Sequence, residues 1–139
     1  MERRDYLVSQ IQEMGIFLAK LLGLLQKKAV EQEEEQLTAI ARDALSVHFG
    51  WDLEELLFLD DSSFISLMED NLLADQHYEQ LASIFEFMGD QCHERGTLLR
   101  RELYLKKALL LLEYIQYRSS TYSLELEGKI MQIKIRMSR

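Results

Sequence analysis

The 139-residue chain contains no proline and only six glycines. Proline is the strongest helix breaker, and proline and glycine together supply most of the tight turns that a β-sheet needs. Apolar side chains meanwhile recur at steps of three and four residues along the whole chain, which is the period of an amphipathic helix. The sequence therefore predicts an all-α protein with about six helices, arranged as antiparallel helical hairpins or as a helical bundle. We expect a single domain over residues 1–139.

The first predicted helix runs from Arg4 to Lys28 and has an unusually broad apolar face. Its steps of four and three place on one side Leu7, Ile11, Met14, Leu18, Leu21 and Leu25. Phe17, Leu22 and Leu24 widen this stripe, so the helix should contact two neighbours or a second subunit. A homodimer through the first helix is one prediction.

The second helix opens in the charge run 31–36 and ends at Gly50, which makes residues 1–49 an N-terminal helical hairpin.

The remaining helices follow from cap signals and periodicity. Two short helices are expected at 52–57 and 60–72, a longer one from Asp75 through Cys92, and another after Thr97. Between Ala108 and Ile115 the only charged residue is Glu113, so this segment should form the central, most buried helix. A break at 119–121, which is also expected to recap the chain, precedes a last helix at 124–137.

Charge is divided sharply along the chain. Residues 1–28 hold five basic and three acidic side chains, residues 29–94 hold one and seventeen, and residues 95–139 hold ten and four. An acidic middle and a basic tail could serve an outside partner, but they could equally belong to helices that pack beside each other and form ion pairs. We favour the internal pairing.

Composition also bears on compartment and on partners. The single Cys92 cannot form an intrachain disulfide, which fits a reducing, cytoplasmic setting. The most apolar stretch, 16–25, is interrupted by Lys20 and is short for a bilayer, so we interpret it as part of a core helix and expect no membrane association. A net charge of −8 without a recognition motif argues against nucleic-acid binding.

Residues 78–117 resemble the helix-turn-helix of a tetratricopeptide repeat. The resemblance rests on Phe85, Met88-Gly89, Gly96 and Ala108-Leu109, where small residues stand at the points at which two helix backbones would meet. Arg101 departs from the pattern, because the family usually has a small residue there. The resemblance implies a binding scaffold with repeat-like C-terminal helices over residues 75–139.

The same resemblance implies where a partner would bind. In the repeat family the first helix of each hairpin lines the concave binding surface, and the matching positions here are Ser83, Glu86, Phe87, Asp90, His93 and Glu94. Carboxylates at these positions would select a basic protein partner, with Phe87 as an exposed apolar anchor. The alternative is that one hairpin makes no groove and that Phe87 packs against a neighbouring helix.

The start of the chain resembles a second family. Asp5-Tyr6-Leu7, Gln10-Ile11 and the run 18–22 are similar to the opening helix of a family of small, uncharacterised bacterial helical proteins that continue with repeat-like hairpins. No activity is attached to that family. The similarity implies a bacterial, cytoplasmic protein.

Catalytic and metal-binding interpretations depend on residues 90–94. Cys92 and His93 are adjacent, and adjacent residues on a helix point about 100° apart, so their side chains should not face each other. Cys92 shares the apolar face of Phe85 and Met88, and we expect it to be a core thiol. We therefore expect the protein to be non-enzymatic and without a cofactor. Asp90 and His93 have the spacing of half a di-iron site, with Glu94 beside them. A metal-binding bundle or an enzyme using Asp90, His93 and Glu94 is the alternative function.

Overall fold

In a computed structural model, the protein is all-helical over the residues that the structure describes, which are 2–93, 95–119 and 122–138. The side chains of Glu2 and Arg95 lie outside the description. The α-helices are α1 (Glu2–Lys28), α2 (Glu34–Phe49), α3 (Leu53–Phe58), α4 (Asp61–Asp70), α5 (Asp75–Asp90), α6 (Leu98–Arg118) and α7 (Leu124–Met137), and a 3₁₀ turn at Arg95–Thr97 precedes α6. The predicted fold class is confirmed.

Local signals set several of the helix ends. Asp52 and Asp60 each accept a hydrogen bond from the backbone N–H three residues later, at 3.2 Å and 3.0 Å, and so cap α3 and α4. Gly50 stops α2 with φ of 74°, a conformation that glycine adopts without steric cost. The cap of α7 differs from the expectation: Ser123 accepts from the N–H of Leu126 at 3.2 Å, whereas Ser120 and Thr121 lie outside the described residues.

The central helix is α6, as predicted, but the expectation that it is also the most buried helix is wrong, because half of the residues of α5 are buried and only a third of those of α6. Helix α6 packs against α3, α4, α5 and α7, and its buried side chains are Tyr104, Leu105, Lys107, Ala108, Leu111, Leu112 and Ile115. Leu98, which was expected on the same face, is half exposed because it lies in the first turn, ahead of this contact. Side chains from all seven described helices join one hydrophobic core.

The closest packing is between α5 and α6, which run antiparallel. Arg118 at the end of α6 pairs with Asp75 at the start of α5. Near the other end of α5, a Cβ placed on Gly89 would lie 3.1 Å from Leu105 Cδ2 and 3.2 Å from Tyr104 Cβ. Glycine at position 89 therefore allows this close approach, and a side chain there would require Leu105 and Tyr104 to shift. A Cβ on Gly96, by contrast, would meet nothing within 4 Å.

Two further helices, α1 and α7, lie beside α5 and run parallel to it. On one side, the carbonyls of Ile11 and Gly15 in α1 are bonded by His77 and Gln80. On the other side, α7 forms ion pairs with α5 through residues 129 and 136. A groove of about 610 Å³ lies over α5 between α1 and α7.

The predicted internal pairing of charge is confirmed. Ion pairs connect the acidic middle of the chain to its basic tail, namely Glu34 and Glu54 to Arg100, Asp61 to Lys106, Asp75 to Arg118, Glu79 to Lys129, and Glu86 and Asp90 to Arg136. Most are partly exposed, so each contributes about 0.2–1 kcal/mol at most. Their common effect is to neutralise the acidic helices along α6 and α7.

Candidate functional site

The predicted acidic face of α5 is already engaged within the protein. Arg136 of α7 donates from Nη1 to Glu86 Oε1 at 2.7 Å, and its Nε lies 3.6 Å from Asp90 Oδ1. Both carboxylates therefore face a cation that is itself three-quarters buried. One of these two negative charges, which were expected to select a basic partner, is therefore compensated within the protein.

The two uncharged members of that face do not form an exposed anchor. Phe87 is half-buried and packs against the hydrophobic core, which is the alternative stated above and corrects the expectation of an exposed side chain. Ser83 donates from its hydroxyl to the Glu79 carbonyl at 3.1 Å and lines the groove between α1, α5 and α7. Among the described predicted partner-binding residues, Ser83 thus borders this groove, and His93 lines a separate cleft of about 420 Å³ beside Glu34 and Gln91.

His93 does not continue the face of α5, because the helix ends at Asp90. Gly89 lies in the last turn, and the N–H of Cys92 bonds to the Gly89 carbonyl at 3.1 Å as the chain leaves the helix. His93 is consequently an exposed loop residue, and Glu94 lies outside the described residues. Among the described residues, no group of three or more His, Cys, Asp or Glu side chains is placed to hold a metal ion.

Cys92 is a buried thiol with 2 % of its surface exposed, as expected for a core position. Its Sγ lies 3.5 Å from the Met88 carbonyl and 3.7 Å from Glu34 Oε1. Burial, with the nearby Glu34 carboxylate, raises the pKa of Cys92 to about 12. The thiolate that a nucleophilic cysteine requires is therefore strongly disfavoured at neutral pH.

An exposed apolar surface lies on the N-terminal half of α1. The predicted stripe of this helix divides into two parts: Leu18, Leu21 and Leu25 are buried, whereas Leu7 and Ile11 are 50 % and 38 % exposed. Residues 3–13 are exposed throughout. Over the first three turns of α1, the apolar stripe is therefore not covered by other helices.

A cleft of about 590 Å³ adjoins this stripe. It is lined by apolar side chains from α1 and the α4–α5 loop, with histidine, glutamine and asparagine side chains at its edges: Leu7, Gln10, Ile11, Glu13, Met14, His48, Asn71, Leu72, Leu73 and His77. We call the exposed stripe and this cleft the α1 surface. A mostly apolar concavity with a few polar groups is the usual form of a recognition site.

Leu72 holds an unusual conformation on the rim of the α1 surface. Its φ is 52°, in the left-handed region that a leucine rarely occupies, and its side chain is 85 % exposed. Asn71 ends α4 by donating from Nδ2 to the Leu67 carbonyl at 2.8 Å, and the chain then reverses at Leu72. The left-handed backbone costs about 1–2 kcal/mol for a residue with a Cβ, so a large apolar side chain is held in solvent at an energetic cost.

His77 fixes α1 against the start of α5. Its Nδ1 accepts from the Ala74 N–H at 2.9 Å and its Nε2 lies 2.9 Å from the Ile11 carbonyl. Only the tautomer with hydrogen on Nε2 satisfies both bonds. The buried imidazole therefore closes the first turn of α5 and sets the point beyond which α1 is exposed.

An aromatic stack supports the other wall of the α1 surface. His48 stacks on Phe17 with ring centroids 3.9 Å apart, and Phe49 stacks on Trp51 at the same distance. Partial burial lowers the pKa of His48 below its usual value. The imidazole consequently favours its neutral, apolar form beside the cleft.

Sequence reasoning identified the α1 stripe but missed Leu72, Asn71, His48 and His77 as its neighbours. Periodicity assigns a face to a helix but does not say where along the helix a tertiary contact stops. The available signal was the excess width of the stripe.

By length and composition α1 could also cross a membrane, since the apolar window within Arg3–Lys28 has a mean hydropathy of 1.3 and is 11 % buried. Core helices of soluble proteins and signal sequences have the same property. In this structure Leu18, Leu21 and Leu25 of α1 are buried by other helices. The expectation of a core helix is therefore met by one face of α1 only.

No protein-family model matches the sequence, and comparisons with curated proteins and with solved structures give no match. The resemblances to tetratricopeptide repeats and to a bacterial helical family stay predictions.

Proposed function

We propose that the protein is a non-enzymatic interaction module that binds an amphipathic helix of a partner protein on the α1 surface. The observation that carries this proposal is the apolar stripe of α1, which is buried from Leu18 onward and uncovered at Leu7 and Ile11. Isolated exposed leucines are ordinary on protein surfaces, whereas a continuous apolar stripe beside a cleft marks a binding site.

Helix-in-groove recognition fits the shape of this surface. A partner helix lying along α1 would place its apolar anchors against Leu7 and Ile11 and against Leu72 on the opposite rim. The amide side chains of Gln10 and Asn71 lie at the edge of such a contact, where each already donates within its own helix, to the Tyr6 hydroxyl at 3.0 Å and to the Leu67 carbonyl at 2.8 Å. Leu72 supports a binding role, because the turn after α4 needs the left-handed backbone but not a large apolar side chain that is 85 % exposed.

The α1 surface is a better candidate than the acidic face of α5. Glu86 and Asp90 of that face already pair with Arg136, while Leu7 and Leu72 are apolar side chains exposed to solvent. A basic partner at Ser83, Glu86, Phe87, Asp90, His93 and Glu94 would have to displace Arg136 first. Binding of a basic partner to this face stays a prediction, and comparing the capture of basic proteins by wild type and by a Glu86→Lys/Asp90→Lys variant tests it.

The experiment places a photo-crosslinking amino acid at Leu7 or Leu72 in the native cell and, as a control, at Val30, which is 86 % exposed outside the α1 surface. We expect one protein to be crosslinked from positions 7 and 72 and not from position 30. The purified partner should then bind Leu7→Glu/Ile11→Glu at least about tenfold more weakly than wild type, a loss of about 1.4 kcal/mol, and bind Val30→Glu normally.

Two results would overturn the proposal. Equal affinity of the wild type and the Leu7→Glu/Ile11→Glu variant would place the partner elsewhere. Binding of the purified protein to lipid vesicles, lost in that variant without any crosslinked protein, would assign α1 to a membrane instead.

A further inference from the structure

We propose that the outer face of α7 joins two copies of the chain in a symmetric antiparallel dimer. One face of α7 is buried on α6 through Leu126, Ile130 and Ile133. A second apolar stripe follows on the face turned away from α5, at Leu124, Gly128, Met131 and Ile135. Its three large side chains are 78 %, 50 % and 49 % exposed.

The spacing of this stripe is the same in both directions. Its steps are four, three and four residues, so a second α7 placed antiparallel across a two-fold axis brings Leu124 against Ile135 and Gly128 against Met131 of the second copy. A contact of this kind is self-complementary and closes after two copies. The stripe of α1 lacks this property, because Leu18 at its far end is already buried within the protein.

Gly128 supplies the space that such a pairing needs. A Cβ built at this position would meet nothing within 4 Å in the isolated chain. The fold itself therefore does not require glycine there, although glycine is less favourable than alanine inside a helix. Across the proposed interface the missing side chain leaves a hole beside Met131 of the second copy, and methionine adapts well to such gaps.

Charge selects the antiparallel direction. On the side of the stripe next to α6, Glu127 stands near the start of α7 and Lys134 near its end. In the antiparallel arrangement each Glu127 faces Lys134 of the second copy, and the helix dipoles also oppose each other favourably. Within one chain, Glu127 accepts from Gln116 at 2.6 Å and Lys134 lies 3.9 Å from Glu113, so both side chains are held on that side of the stripe.

Two exposed tyrosines lie where α6 ends and α7 begins, at the same end of the bundle as Leu124. Tyr117 lies in the last turn of α6 and Tyr122 lies two residues before Leu124, with 86 % and 69 % of their surfaces exposed. Aromatic side chains at the edge of an apolar stripe are enriched in protein interfaces. The contact leaves the α1 surface uncovered, because α1 and α7 lie on opposite sides of α5, so a dimer would present two α1 surfaces.

Sedimentation equilibrium measures the proposed dimer directly. Wild type should dimerise in a concentration-dependent way, Met131→Glu should raise the dissociation constant at least about tenfold, and Val47→Glu, the same kind of change at an exposed site on α2, should have no effect. Circular dichroism confirms that each variant is folded. A wild type that stays monomeric up to its solubility limit, or a dimer that tolerates Met131→Glu, would overturn the proposal.

A mixing experiment tests the geometry independently of folding. Glu127→Lys alone and Lys134→Glu alone each place like charges opposite each other, so neither should dimerise. Mixed together they should form a heterodimer, because the lysine introduced at position 127 of one chain then faces the glutamate introduced at position 134 of the other. Failure of the mixture to associate would refute the antiparallel register, and it would leave the proposed partner site on α1 untouched.

Discussion

The close approach of α5 and α6 predicts opposite effects for one chemical change at two glycines. Gly23→Ala adds a methyl group at a helical position of α1 where a Cβ meets nothing within 4 Å. It should stabilise the protein by about 0.5–1 kcal/mol, the difference in helix propensity between the two residues. The same substitution at Gly89 adds a methyl group only 3.1 Å from Leu105 Cδ2 and 3.2 Å from Tyr104 Cβ.

The cost at Gly89 follows from what surrounds it. Leu105 and Tyr104 are themselves fully buried, so they cannot move aside without disturbing the core. Overpacking of this kind costs about 1–3 kcal/mol, and the gain in propensity is at most about 1 kcal/mol and smaller in the last turn of α5. The net expectation for Gly89→Ala is a destabilisation of about 1–2 kcal/mol, and the two variants should therefore differ by about 1.5–3 kcal/mol.

Urea unfolding monitored by circular dichroism measures both free energies under identical conditions, and equal m-values would show that the same surface is exposed in each case. Stabilisation of the protein by Gly89→Ala to the same extent as by Gly23→Ala would refute the reasoning, because it would mean that Leu105 and Tyr104 make room for the added methyl group at no cost.

Four further predictions test other parts of the structure. Cys92 should not react with a thiol reagent at pH 8 in the native protein and should react fully in denaturant, since burial raises its pKa to about 12. His77→Ala should lower the free energy of unfolding by about 2–3 kcal/mol, because it removes the bonds to Ala74 and Ile11, and urea unfolding checks this. The lowered pKa of His48 means that the unfolded chain takes up its proton first; the stability linked to His48 is complete above pH 6.5 and falls as pH drops towards the folded pKa, and this part of the pH dependence should be absent from thermal scans of His48→Gln. Arg136→Gln should uncover the carboxylates of Glu86 and Asp90 and increase the binding of a basic peptide, measured by fluorescence anisotropy at low salt.

The sequence was sufficient for the helices and for the central place of α6. Asp52, Asp60 and Gly50 are local signals that act within one turn, and the apolar segment 108–115 has no alternative to burial. The internal charge pairing was also predictable, because acidic and basic residues occupy different helices of similar length.

The candidate sites were less predictable, because they depend on which part of each helix face is covered by other helices. The acidic face of α5 was predicted to be free for a partner, but Glu86 pairs with Arg136, which lies fifty residues further along the chain. Likewise, the identical periodicity of Leu7 and Leu18 gave no indication that one side chain is exposed and the other buried. The left-handed backbone at Leu72 has no signal in residue type, since leucine is not a residue that favours that conformation.

The separation of charge along the chain has a consequence for its synthesis. Residues 29–94 carry sixteen more acidic than basic side chains, and their ion-pair partners in α6 and α7 follow them in the chain. At about 5–20 residues per second, the last 45 residues take several seconds to translate, during which α2 to α5 repel one another and lack the helix that buries them. We therefore expect collapse to be completed only after residues 95–139 have been made, and the negative charge of residues 29–94 favours solubility until then.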